Sequence, residues 1–140
     1  MSKTARDVIT KTLQVLRVTA IEDEPDADTY QTALDTYQVW HNELQADIRD
    51  KYRLTRRAWD HDNVPETIWM NVAIAFAERL MVMVPVSQEV EAKTPRNSSD
   101  ALGGLYKILA KRKNSFDRYD EALSRKYKYY DNNYYGFDFS

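Results

Sequence analysis

The class this sequence predicts is all-α, a small helical bundle of about four to five helices with an extended aromatic C-terminal arm. Three observations carry it. Apolar residues recur every three or four positions in successive segments. Ser, Thr, Asp and Pro stand where those segments open and close. No strand-length alternation of polar and apolar residues precedes the last fourteen positions.

The first helix is expected from about Thr4 to Thr19. Thr4 and Asp7 have capping-box spacing, and Asp7 suits the positive end of the helix. Ile9, Leu13, Leu16 and Ala20 then form one apolar stripe. The acidic segment Ile21–Asp28, with Pro25 inside it, reads as the connecting turn. The second helix comes next, with Asp26 or Asp28 as its N-cap. Tyr30, Leu34, Tyr37, Trp40 (or His41), Leu44 and Ile48 keep helical spacing, with Ala33 beside them.

From Arg49 to Asn63 the periodicity fades and charge rises, which reads as a long connection. Pro65 suits the first turn of a third helix, whose inner face would be Ile68, Val72, Ala75, Phe76, Leu80 and Met83, with Pro85 as its stop. Ser87 is expected to cap a short helix through Lys93 that Thr94–Pro95 ends. Ser99 would cap a further helix carrying Leu102, Leu105, Ile108 and Leu109, a pattern that persists through Phe116, Tyr119 and Leu123. Gly103 and Gly104 inside it cost ~1 kcal/mol each relative to alanine, so that helix is either weak or closely packed there. Residues 1–126 are thus expected as one helical domain and residues 127–140 as an arm.

Composition narrows the chemistry. A chain of 140 residues and 16.5 kDa is one domain with room for an appendage. It can bury roughly 70% of its unfolded surface without a disulfide or metal staple. No cysteine is present, which removes disulfides, thiolate zinc sites, iron–sulfur clusters and cysteine nucleophiles. Three glycines, Gly103, Gly104 and Gly136, cannot build a phosphate-cradling loop or a dinucleotide fingerprint. With 20 Lys and Arg against 22 Asp and Glu, the net charge of -2 argues against a freestanding DNA-binding domain. The polar start suggests no signal peptide. The most apolar stretch, Val72–Val86, is broken by Glu78, Arg79 and Pro85, so no membrane span is expected and a soluble intracellular product is.

Several constellations remain. Tyr127, Tyr129, Tyr130, Tyr134, Tyr135, Phe137 and Phe139 fall within fourteen residues and have no helical stripe to occupy. Such rings anchor interfaces, so the arm is expected to dock on a partner rather than to fold back on its own core. Arg49, Lys51, Arg53, Arg56 and Arg57 form a basic cluster opposed locally by Asp50 alone, and they are candidates for contact with phosphate. A solvated face or pairing with a neighbouring subunit's acids is the plainer reading. A second basic stretch, Lys107–Lys128, holds eight Lys and Arg against three acids.

Asp60, His61 and Asp62 are adjacent, so their side chains point apart and serve better as caps than as metal ligands. His41 reads as a boundary residue of the second helix. No pair of acids, Glu22, Asp23 and Glu24 included, is singled out for acid–base work. No serine has an elbow or an ordered histidine partner. Catalytic residues, metal and cofactors are all expected to be none.

Thr4-Ala-Arg-Asp-Val-Ile, the acidic turn at Pro25 and the helix through Ala33-Leu34 to Trp40 resemble the opening of the tailed-phage head-to-tail adaptor proteins, also called head-completion, connector or packaged-DNA stabilisation proteins. The resemblance continues through Val64-Pro65-Glu66, Asn71-Val72-Ala73, Ala77-Glu78-Arg79-Leu80 and Pro85-Val86-Ser87, over roughly residues 4–94. Two features depart from the family pattern. Thr19-Ala20-Ile21 stands where a glycine is frequent, and Ser87–Lys93 is shorter than the usual fourth helix.

The resemblance implies a non-enzymatic virion protein of the neck, made in the host cytoplasm. It would form a homo-oligomeric ring, twelve subunits in the family, beneath the portal protein. That ring would extend the DNA channel, retain packaged DNA and carry the tail nozzle or tube protein. The aromatic arm would be its portal-binding segment and the basic cluster its non-specific DNA contact. The alternative is a small helical nucleic-acid-binding or regulatory protein; a small hydrolase built on an acidic pair is the remaining possibility.

Overall fold

The structure, a computed structural model, describes residues 2–19 and 24–127, with side chains as far as Arg112. Among the described residues the fold is all-α, with four helices and one very short antiparallel pairing. Strand β1 (Ser2–Lys3) lies against β2 (Val64–Pro65), Ser2 opposite Pro65 and Lys3 opposite Val64.

Helix α1 (Ala5–Val15) starts as its capping box dictates. The Thr4 hydroxyl accepts from the Asp7 amide at 3.2 Å, and the Asp7 carboxylate accepts from the Thr4 amide at 3.0 Å. Ile9, Leu13 and Leu16 are buried as the stripe predicts, and Val8 joins them. The helix is shorter than the periodicity predicts, because Leu16 is its C-cap and Arg17 takes a left-handed conformation, φ 59°. Ala20 lies outside the described residues.

Helix α2 (Ala27–Tyr52) is capped by Asp26, whose carboxylate accepts from the Thr29 amide at 2.7 Å. Its core-facing residues are Ala33, Tyr37, His41, Leu44, Gln45, Ile48 and Tyr52, while Tyr30, Leu34 and Trp40 are half-buried at the edge. Of the two residues offered for the stripe, His41 faces inward. The expected long connection at Arg49 is corrected, since α2 continues one turn further. Tyr52 extends the buried stripe four residues beyond Ile48, and cations in the last turn suit the negative helix end.

Helix α3 (Trp69–Leu80) does not begin at Pro65. Pro65 belongs to β2, where a missing amide is tolerated, and its carbonyl accepts from the Ile68 amide at 3.1 Å in a tight turn. Ile68, Val72, Ala75, Phe76 and Leu80 are buried as expected. Met83 is not part of this face. The helix ends at Leu80, ahead of Pro85, and Met83 sits 55% exposed in the following turn.

Helix α4 (Gln88–Tyr127) overturns two expectations, since neither the break at Thr94–Pro95 nor the new start at Ser99 exists. The Ser87 hydroxyl accepts from the Val90 amide at 3.3 Å, as a cap should. Pro95 removes the bond to the Glu91 carbonyl, a loss of ~3 kcal/mol in an isolated helix. One bond within the helix and one to α3 hold the chain helical there. Thr94 and Ser98, on either side, are buried against the core. The Thr94 hydroxyl donates to the Val90 carbonyl at 2.6 Å, and Ser98 donates to the α3 carbonyl of Ile74 at 2.8 Å.

Further along α4, Gly104 is closely packed, as one reading of the glycine pair expects: a Cβ there would stand 2.9 Å from the Asn71 amide nitrogen. Leu105 and Leu109 are buried against the core. The helix carries on through the predicted Phe116, Tyr119 and Leu123 to Tyr127.

The core is centred on α3, against which α1, α2 and α4 all pack. Phe76 meets Tyr37 edge-on, ring centroids 5.2 Å apart, and Trp40 at the same separation. Thr12 is fully buried between helices, its hydroxyl 2.9 Å from the carbonyls of Val8 and Ala73. No helix among the described residues is long and apolar enough to cross a membrane.

Candidate functional site

The basic cluster sits where α2 ends, and the chain is held there by specific bonds. Arg53 caps the helix in the left-handed region, φ 55° and ψ 44°, its amide donating to the Arg49 carbonyl. Glycine usually fills this position, because a side chain there costs ~1–2 kcal/mol. The next residue keeps the turn in place: Leu54 enters the core, its amide also bonded to the Arg49 carbonyl at 3.0 Å.

Thr55, Arg56 and Arg57 then face solvent, while Ala58 and Trp59 are buried. The Ala58 amide donates to Oε1 of Gln45, a buried α2 residue, at 2.7 Å. The far end is pinned as well. The Tyr37 hydroxyl donates to the His61 carbonyl at 3.1 Å, and the Asp62 carboxylate accepts from the Ala5 amide at 2.9 Å. The loop thus presents its cations from a fixed backbone.

The five candidate cations do not all face the same way. Arg49 and Lys51 lie on the last turn of α2, two residues apart and therefore on different sides. The Lys51 ammonium sits 4.4 Å from the ring centre of Tyr106 on α4, and 5.9 Å from that of Tyr52. Arg49 and Arg53 are exposed and form no ion pair among the described residues. Arg57 pairs with Asp60 at 3.4 Å. Arg56 and Arg57, with Trp59, Asp60 and Asn63, line an open depression of about 520 Å³. Desolvation works to raise the Asp60 carboxyl, but the His61 amide and ring and Arg57 outweigh it and hold it below the usual range.

Asp60, His61 and Asp62 serve separate partners. Asp60 turns back on His61 and Arg57, and Asp62 caps α1. Tyr127 is the last residue of α4; Tyr129, Tyr130, Tyr134, Tyr135, Phe137 and Phe139 lie outside the described residues. Of the second basic stretch, Lys107, Lys111 and Arg112 are exposed on α4.

Beneath the loop lies a polar cluster around His41, which the sequence offered both as an alternative to Trp40 in the α2 stripe and as a boundary residue. His41 is fully buried between Tyr37, Trp59 and His61, with ring centroids 5.6, 5.9 and 6.2 Å away. Gln45 holds its Oε1 on the Ala58 amide, so its Nε2, 3.4 Å from His41 Nε2, is the donor of that pair. Burial, with His61 and Arg57 nearby, pushes the His41 imidazole down to about 4. It is therefore neutral at physiological pH. The signal was available: positions 37, 41, 45, 48 and 52 continue the stripe one residue away from Trp40.

Comparison with protein-family models, curated proteins and solved structures finds no match for the chain.

Proposed function

We propose that this chain is a structural head-to-tail adaptor of a tailed phage, with no catalytic role. In this reading it forms a ring of twelve subunits under the portal protein and carries the tail nozzle or tube protein. Its place is the neck of the virion. The observation that supports it most is helix order and punctuation over the segments that carry the resemblance. Thr4 caps α1, Asp26 caps α2 after the acidic turn, Asn71 to Leu80 run through α3, and Ser87 opens α4. One of the two departures also falls away: α4 runs past Pro95 unbroken, so the fourth helix is long. Exposed Arg49, Arg53, Arg56 and Arg57 on a pinned backbone suit non-specific contact with packaged DNA. The aromatic arm suits docking on the portal.

The test is the native mass of the protein mixed with the portal assembly of its own virus. Twelve added copies are expected, lost on deletion of residues 127–140. A clean monomer beside an unaltered portal ring refutes the reading. The fixed basic loop favours one rival, a helical nucleic-acid-binding protein. That rival requires salt-sensitive DNA affinity from the isolated monomer, abolished by neutralising Arg53, Arg56 and Arg57, and no portal association.

A further inference from the structure

Helices α2 and α4 both rest on α3, and they meet each other at Tyr52 and Tyr106, where the Tyr52 hydroxyl donates to the Tyr106 carbonyl at 3.2 Å. Away from that contact they diverge and leave a groove of about 550 Å³ over α3. Trp40, Leu102 and Tyr106 form its half-buried walls, and Val82, 78% exposed, its lip. Its rim is acidic. Asp47 and Glu78 carry the charge, while Glu43 is tied up with Arg79 in a two-pronged pair at 3.1 and 3.2 Å. Lys51 on the Tyr106 ring offsets part of this charge, but Asp47 and Glu78 form no ion pair among the described residues. A partly open apolar trough with aromatic walls and an acidic rim suits a segment that is both aromatic and cationic.

We infer that this groove receives the Arg125–Tyr130 segment of a second copy of the chain. That stretch reads Arg-Lys-Tyr-Lys-Tyr-Tyr, three cations interleaved with three phenols. It supplies cations for Asp47 and Glu78 and rings of a size to pack along Trp40 and Leu102. The chain's own segment cannot fill the site. Arg125 is on the same helix as Tyr106, nineteen residues on, and at 1.5 Å per residue it stands roughly 28 Å beyond the groove. A neighbouring subunit has no such restriction. The ten residues after Tyr130 span at most ~35 Å when extended. They remain available for a different partner, so the contact is compatible with portal docking and does not depend on it.

The probe is a synthetic peptide of residues 125–140, titrated into the isotopically labelled full-length protein and followed by NMR. Saturable shifts are expected at the Trp40 indole N–H and at the amides of Leu102 and Tyr106. They should weaken as salt is raised. Reversing the rim with Asp47→Lys and Glu78→Lys should weaken binding about tenfold or more, since attraction becomes repulsion. Val82→Ser, which removes apolar contact at the exposed lip without adding charge, should weaken it as well. A peptide with Arg125, Lys126 and Lys128 replaced by Glu should not bind, and this control needs no folded variant.

The inference is overturned if the groove signals stay still up to ~1 mM peptide, an affinity too weak to build an interface. Shifts centred on the depression beside Arg56 and Arg57 overturn it too. So does equal binding by the charge-reversed peptide. None of these readouts involves a portal, so failure here is separable from failure of the adaptor reading.

Discussion

His41 makes folding of this chain sensitive to mild acid. In the unfolded chain it titrates near its ordinary value of 6.5; in the fold, burial holds it at about 4. The folded state therefore resists the proton that the unfolded state accepts. The stabilising contribution is complete above pH ~6.5 and is lost as pH falls from 6.5 through 4. At ~1.4 kcal/mol per pH unit the full loss is about 3 kcal/mol, of which about 2 kcal/mol is gone by pH 5. That is a large part of the ~5–15 kcal/mol that holds a domain together. Protonation has a structural consequence as well. It turns His41 Nε2 from an acceptor of the Gln45 amide into a donor facing another donor, and Gln45 also secures the Ala58 amide of the basic loop.

The assay is urea unfolding at a series of pH values from 7 to 4.5, for the natural chain and for His41→Leu. Leucine removes the titration and leaves the carboxylates in place. Wild-type stability should fall by about 2 kcal/mol between pH 7 and pH 5, and the variant's by well under half of that. Parallel curves for the two proteins would refute the reasoning.

Four further outcomes are expected from equilibrium unfolding. Gly103→Ala should stabilise the protein by about 0.5–1 kcal/mol, because nothing stands near the added methyl and the helix gains propensity. Gly104→Ala should gain nothing or lose stability, since its methyl displaces Asn71 from the Ala101 carbonyl at 3.1 Å; an equal gain at both glycines would contradict the packing of α4 on α3. Pro95→Ala should raise stability by about 1–2 kcal/mol, restoring the donor for the Glu91 carbonyl and offset in part by a freer unfolded chain; a loss would mean that α4 needs the proline's shape. Ser98→Ala should cost about 1 kcal/mol through its bonds to Ile74 and Glu78, and an unchanged midpoint would remove the buried hydroxyl from the helix contact.

Legibility in the sequence divides along physical lines. Local signals with local partners were readable: Thr4 with Asp7, Asp26 with Thr29, Ser87 with Val90. Each bond closes within three residues, so spacing alone reveals it. Features that depend on distant partners were not. Pro95 looks like a helix end, and it is overruled by Ser98 reaching α3, more than twenty residues back along the chain. Pro65 looks like a helix start, and it is claimed instead by the N-terminal Ser2–Lys3 strand. The same division separates the two sites. The cations of the basic cluster are plain in sequence, but which of them point together rests on Lys51 meeting Tyr106. The groove is built wholly from long-range packing and leaves no contiguous motif.

That Lys51–Tyr106 contact also changes the meaning of the near-zero net charge. It places the end of α2 beside the point on α4 where the second basic stretch begins, since Lys107 is the next residue. The two clusters therefore start from one place on the bundle rather than two. Acids gather at Asp26 and Asp28 where α2 begins and at Glu89 and Glu91 where α4 begins, but Asp47, Asp50 and Asp60 also lie among these cations. The chain is nearly neutral as a sum, yet Arg49 and Arg53 are exposed at this end without an ion pair among the described residues, and a polyanion responds to the local field, not the sum. For an adaptor ring this arrangement has a direct consequence. Each subunit would bring a fixed group of cations to one end without becoming basic overall, so twelve copies could line a channel and still pack against each other without strong mutual repulsion.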